Sequence, residues 1–175
     1  DPKRKIKKIN KKIFISFVGR LEDENSPEFF INIAEKYLKS YNDAIFNVYG
    51  DGSMLINLKK KNKNNNIVFH GWVNKDKIYK KSNIILITSP VNNFPYVALE
   101  AKSYGIPVIS KSKGDIKKII KNNIDGFVNP TNSSSKMITL IKKTIKNYRL
   151  FSKNAIKRSK KFDIKDSCKT FWQKI

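Results

Sequence analysis

Residues 84–110 read IILITSPVNNFPYVALEAKSYGIPVIS: an apolar run, a polar turn, a helical pattern and a second apolar run in immediate succession. Ile84-Ile85-Leu86-Ile87 is too short for a membrane span and rich in β-branched residues, as expected of a strand buried on both faces of a parallel sheet. Thr88 to Asn93 forms the turn, with Pro90 and Pro95 punctuating it. Tyr96 to Tyr104 is expected to be helical, with Pro95 near the first turn, where a missing N–H costs nothing. Gly105 ends that helix and Ile106-Pro107-Val108-Ile109 is the next strand. The unit places a helix N-terminus with free N–H donors at the carboxyl end of a strand, which suits a phosphate. Glu100, one turn inside the helix, is placed to accept hydrogen bonds from sugar hydroxyls.

The flanking sequence repeats the alternation. DPKRKIKKINKK, residues 1–12, is a basic linker or arm. Ile13–Val18 is the first strand, followed by Gly19-Arg20 and then by Ser26-Pro27-Glu28, a cap, first-turn proline and first-turn acid. Phe29, Phe30, Ile33, Ala34, Tyr37 and Leu38 recur at helical spacing. Ala44–Tyr49 is the second strand, leading to Gly50-Asp51-Gly52-Ser53, where Ser53 would cap a short helix through Leu58 ahead of a solvated loop over 59–66. Ile67–His70 is the third strand, Asn74 caps a helix to about Ser82, and a further helix is expected near Asp115–Lys121. Gly126–Val128 is a last strand and Met137–Leu150 one long amphipathic helix. Residues 151–175 hold two more helical pieces joined around Phe162-Asp163. The fold class is α/β: a doubly wound, Rossmann-like parallel sheet of about six strands covered on both faces. Residues 13–150 form the main domain and 151–175 its C-terminal helices.

Composition bounds the function. A chain of 175 residues buries one core. Beginning at Asp1, without an initiator Met or a signal-peptide pattern, it is expected to be a fragment of a longer protein. The lone Cys168 excludes an internal disulfide framework and fits a reducing compartment. The net charge of +23 admits nucleic acid, an anionic membrane surface or anionic substrates. Yet the lysine excess comes with abundant Asn and Ile and little Ala or Arg, a bias that A/T-rich coding produces whatever the function. Attraction to an anionic membrane surface is the best functional use of what remains. No G-x-G-x-x-G follows the first strand and no P-loop occurs, and with one His and one Cys metal ligation is not expected.

Four segments in this order, VGRLEDENSPEFF, VYGDGS, IVFHGWV and SPVNNFPYVALEAKSYGIPVIS, followed by DGFVNP, resemble the C-terminal, donor-binding half of a GT-B glycosyltransferase. The group is the retaining family often called group 1 or family 4, and the likeness covers roughly residues 13–175. It implies that Arg20 pairs with the donor diphosphate, where a forked guanidinium serves better than an ammonium. It implies that Glu100, the second glutamate of the family's E-x7-E pattern, grips the ribose hydroxyls. Asn93, Phe94, Pro95 and Tyr96 match the loop whose backbone N–H groups reach sugar and phosphates, and Gly71-Trp72-Val73 the segment that recognises the base. Gly50-Asp51-Gly52 is expected to be a structural turn and His70 a strand residue.

Two positions depart from the pattern. Asn92 stands for the first glutamate, which contacts the donor sugar, and brings no charge to a developing oxocarbenium ion. Asn25 stands where a lysine shares the diphosphate, and Ser26 replaces the following glycine. Lys111 or Lys113 is a candidate to compensate. The implied reaction moves a sugar from a UDP- or GDP-linked donor to a glycan or lipid-linked hydroxyl, with Arg20, Asn92 and Glu100 as catalytic candidates and no metal or other cofactor. The partner would be an N-terminal acceptor-binding domain, against which the region around Phe171 and Trp172 would pack; alone, the fragment would bind donor and transfer nothing. The expected setting is cytoplasmic, with lysines resting on the inner membrane face. Two alternatives stand beside this reading: a catalytically degenerate sugar-nucleotide-binding module, and a basic nucleic-acid-binding domain, for which no RNA- or DNA-reading motif occurs.

Overall fold

Ile84–Ile87 (β4) lies in the middle of a sheet, its four side chains all buried. The computed structural model describes residues 6, 8, 9, 11–91 and 95–162. Asn92, Asn93, Phe94, Cys168, Phe171 and Trp172, with most of the basic arm, lie outside the described residues. β4 pairs in parallel with Ile13–Val18 (β1) on one side and Val108–Ser110 (β5) on the other. Ala44–Tyr49 (β2), Ile67–Gly71 (β3) and Gly126–Val128 (β6) complete a six-stranded, all-parallel sheet in the order β3-β2-β1-β4-β5-β6. The order reverses between β1 and β4. Loops leaving these two strands diverge there and open a crevice at the carboxyl edge.

Both faces are covered, which is why the strands read as continuous apolar runs rather than alternating ones. Pro27–Leu38 (α1) and Ser134–Lys146 (α6) pack on one face, where Phe30 meets Phe17 and Phe46 at ring-centroid distances of 5.7 Å each. Lys75–Lys81 (α3), Tyr96–Ser103 (α4) and Ile116–Ile119 (α5) supply the other core. Each fully buried Ile or Phe contributes about 1.5–3 kcal/mol of transfer free energy. Among the described residues no helix is long and apolar enough to cross a membrane.

Several expected boundaries move, each for a physical reason. Ser26 precedes α1 but sits in the left-handed region at φ 48°, and its hydroxyl donates back to the Asp23 carbonyl instead of accepting from the helix. Ser53 is not a cap either: its N–H and hydroxyl both donate to Glu22, at 2.8 and 2.5 Å. The helix after it, Leu55–Lys61 (α2), starts later and runs further, leaving only 62–66 as loop. Strand β5 begins at Val108, because Pro107 has no N–H to pair. The helix expected over 137–150 is two helices, α6 and Tyr148–Ser159 (α7), with Asn147 between them. Ser133 caps α6 by accepting from the Lys136 N–H at 3.3 Å. Tyr148, buried with its hydroxyl on the Asn83 carbonyl at 3.1 Å, fixes the change of direction. Asn74 does cap α3, accepting from the Asp76 N–H at 2.9 Å.

Candidate functional site

The carboxyl ends of β1, β2 and β3 are drawn together by backbone bonds. Gly19 donates to Tyr49 at 3.0 Å and Gly50 to Gly71 at 2.8 Å. Gly50 has φ 135°, and a Cβ there would lie 1.9 Å from the Gly19 carbonyl oxygen, so only glycine fits. This contact makes Gly50-Asp51-Gly52 a structural turn that shapes the floor of a cleft. Two adjoining cavities occupy that cleft. The larger, about 610 Å³, is bounded by the ends of β1 and β2, by Trp72–Lys75 and by Glu100 of α4. The smaller, about 330 Å³, lies between the ends of β1 and β4 and the start of α4, and shares Val18, Gly19 and Val97 with the first.

Arg20 and Glu100, expected on sequence grounds to serve one ligand, line the same larger cavity. Arg20 leaves β1 with an exposed side chain whose guanidinium is ion-paired with Glu24, four residues on. An exposed pair of this kind is worth only about 0–1 kcal/mol, so a more highly charged anion would displace Glu24 readily. The Arg20 carbonyl accepts from Asn25 Nδ2 at 3.0 Å, and the Asn25 carbonyl accepts from the Thr88 hydroxyl at 2.9 Å. The loops after β1 and β4 are thereby tied across the crevice.

Glu100 is held from α3. Its Oε1 accepts from Lys75 Nζ at 3.1 Å and its Oε2 from the Tyr79 hydroxyl at 2.8 Å. Tyr79 is buried, and both that burial and the Glu100 charge push its phenol well above the ordinary range, so it stays a donor. Tyr104, one turn beyond Glu100, donates to Asp76, and burial together with that bond pushes its phenol up to about 12.

The sequence model of the family described as glycosyl transferases group 1 matches residues 1–162. The chain belongs to that family. An uncharacterized glycosyltransferase of Methanocaldococcus jannaschii is 35% identical over 129 residues, covering 69% of this chain and 33% of the relative. The UDP-Gal:alpha-D-GlcNAc-diphosphoundecaprenol alpha-1,3-galactosyltransferase of Escherichia coli is 30% identical over 151 residues, covering 81% of this chain and 39% of the relative. The chain thus spans 33% to 39% of the length of these two relatives. The crystal structure of the C-terminal domain of LpcC, a group 1 family protein from Francisella tularensis, superposes with a TM-score of 0.75 at 26% identity, over 87% of each chain. The pneumococcal O-GlcNAc transferase GtfA, crystallised with UDP and GlcNAc, gives a TM-score of 0.82 at 17% identity, over 94% of this chain and 35% of that one, a likeness of fold. The fold is that of a C-terminal GT-B domain.

In this group 1 glycosyl transferase domain two of the three base-recognition candidates, Trp72 and Val73, border the larger cavity. Trp72 is 84% exposed and, with Val73, lines the larger cavity, so it is a free ring at the cavity wall rather than part of the core. Gly71, at φ 67°, turns the chain out of β3. His70 is a strand residue, stacked on Tyr49 at 4.5 Å with Nε2 on Asn47 Oδ1 at 2.7 Å, and burial lowers its pKa. Pro95 and Tyr96, at the start of α4, line the smaller cavity. Lys111 lies 4.5 Å over the Phe29 ring and bonds to Asn132 at 3.1 Å, and neither it nor Lys113 borders either cavity. Among the described residues no group of three or more His, Cys, Asp and Glu gathers to hold a metal ion. Lys75, Tyr79 and Glu24 escape a reading of the sequence. The first two face the site only across the α3–α4 contact, and Glu24 looks like any exposed acid.

Proposed function

We propose that this chain is the donor-binding domain of an enzyme that takes a glycosyl group from a nucleoside diphosphate sugar, UDP-linked rather than GDP-linked, and passes it with retention to a hydroxyl of a glycan or lipid-linked acceptor. The observation that carries the reading is that Arg20 and Glu100 share one cavity at the carboxyl edge of a doubly wound sheet. The Escherichia coli relative, named for a UDP-galactose donor and a diphosphoundecaprenol-linked acceptor, favours uridine and a lipid-linked substrate.

In this scheme the diphosphate spans from Arg20 to the N-terminus of α4 at Pro95 and Tyr96, Glu100 accepts from the ribose hydroxyls, and the base lies along Gly71-Trp72-Val73, stacked on the exposed Trp72 ring. As the bond from anomeric carbon to β-phosphate oxygen breaks, negative charge grows on the diphosphate, where the guanidinium and helix N–H groups stabilise it. Asn92, Asn93 and Phe94 would complete the sugar end. The acceptor would sit on a second, N-terminal domain, and the setting would be the cytoplasmic membrane face, reached through surface lysines. A binding module without turnover is the second reading. It is favoured by Asn25, whose amide is spent on the Arg20 carbonyl and supplies no cation.

The test is calorimetry of the chain with UDP and GDP at moderate salt, beside Arg20→Ala and Glu100→Ala. Preferential UDP binding that both substitutions weaken is expected. Equal or absent binding of the two nucleotides, unmoved by either substitution, refutes the donor-site reading. Turnover by a protein carrying both domains then separates enzyme from binding module.

A further inference from the structure

Glu100 is the one carboxylate of the larger cavity that receives donors on both oxygens from a single neighbouring helix. Lys75 and Tyr79 lie one turn apart on α3, and Tyr104, which caps the C-terminus of α4, lies one turn beyond Glu100. The Tyr79 and Tyr104 rings pack at 5.3 Å, and Tyr104 in turn holds Asp76, so two tyrosine–carboxylate bonds clasp the helices in opposite senses. We propose that Tyr79 is a positioning residue that fixes the Glu100 carboxylate for a vicinal diol and so makes the site choose ribonucleoside over 2′-deoxyribonucleoside diphosphates. The inference rests on the ribose role of Glu100.

A carboxylate offers about four lone-pair positions. Tyr79 takes one on Oε2 and Lys75 one on Oε1, leaving one on each oxygen for two adjacent hydroxyls. Lys75 is largely exposed and reaches its partner on a flexible stem, whereas the Tyr79 ring is 1% exposed and its hydroxyl has no freedom to wander. Orientation therefore comes from Tyr79. A site built to satisfy a hydroxyl discriminates strongly against the analogue without it, provided its acceptor is held in place.

The experiment compares UDP and 2′-deoxyUDP binding for the unsubstituted chain, Tyr79→Phe, Glu100→Ala and the double variant, with Glu100→Asp as a second probe. Tyr79→Phe keeps the ring and removes only the hydroxyl. It should lower UDP affinity about tenfold and shrink the preference over 2′-deoxyUDP toward that of Glu100→Ala. In the Glu100→Ala background it should do nothing more. Glu100→Asp, one methylene short of Tyr79, should behave like Tyr79→Phe. Retention of the full preference by Tyr79→Phe or Glu100→Asp overturns the proposal, as does an equal loss in the Glu100→Ala background, which marks a merely structural tyrosine. If Glu100→Ala binds UDP as well as the unsubstituted chain, the ribose role itself falls and this inference with it.

Discussion

Lys102 Nζ lies 2.7 Å from Asp125 Oδ2, and both side chains are sealed from solvent. Arg158 reaches the same oxygen at 2.7 Å, and the Lys121 N–H donates to Oδ1 at 2.8 Å. Lys102 also donates to the Ile119 carbonyl. The cluster joins α4, the turn before β6 and the end of α7, so the helix that carries Glu100 is anchored from behind by charge. Removing one partner leaves an uncompensated buried ion. Asp125→Ala should cost about 3–5 kcal/mol, measured as a fall in urea midpoint. Lys102→Met combined with Asp125→Leu should recover part of it, since Arg158 and the Lys121 N–H still lose their acceptor. A loss under about 1 kcal/mol for Asp125→Ala would mean that the pair adds nothing to the anchorage.

Arg20 is ion-paired with Glu24, and both side chains are largely exposed. Glu24→Gln frees the guanidinium and removes a negative charge from beside the proposed diphosphate. UDP should bind about two- to fivefold tighter, with the gain fading as salt is raised. Weaker binding would show that Glu24 orients Arg20 rather than competing for it.

Gly50 and Gly71 stand beside each other in the cleft, yet substitution should affect them unequally. At Gly50 an added Cβ meets backbone, the Gly19 carbonyl, and Gly50→Ala should cost about 3 kcal/mol or more and abolish nucleotide binding. At Gly71 nothing lies within 4 Å of the added carbon, leaving only the left-handed backbone penalty, about 1 kcal/mol. Denaturation of the two variants side by side is the measurement, and similar losses would show that the close approach of the two strand ends is unimportant.

His70 carries a pH signature. Burial, aided by the Lys81 charge, holds its pKa below the ordinary 6.5. Between the folded value and 6.5 the unfolded chain binds more protons than the folded one. Stability therefore rises with pH across that window and is lost as pH falls through it. His70→Gln, which keeps a donor for Asn47, should lose less melting temperature than the unsubstituted chain between about pH 7.5 and about pH 5. Equal losses would place the acid sensitivity elsewhere.

Much of this fold is written locally. Runs such as Ile13–Val18 and Ala44–Tyr49 end in glycine and carry no competing period, so their limits follow from the residues alone. Where local signals fail, a distant residue has overruled them. Ile145 and Tyr148 continue one helical stripe, but the bond from Tyr148 to Asn83, 65 positions away, bends the chain between them. Ser53 has the chemistry of a cap and gives its hydrogen bonds to Glu22, 31 positions back. The lining of the proposed site divides in the same way. Arg20, Glu100, Trp72 and Val73 sit at strand ends or inside a motif and are legible. Tyr79 is not, because its meaning depends on a helix 21 positions on.

Asn25 constrains how this cleft could be re-engineered. Its short amide holds the Arg20 carbonyl at 3.0 Å, while its own carbonyl receives Thr88. A lysine at this position would bring a second cation to the cleft and take away the brace that sets the first. Installing lysine therefore asks for a compensating change that secures the Arg20 backbone by other means. Charge at position 25 and the brace on Arg20 are thus coupled: adding the one without a second substitution gives up the other.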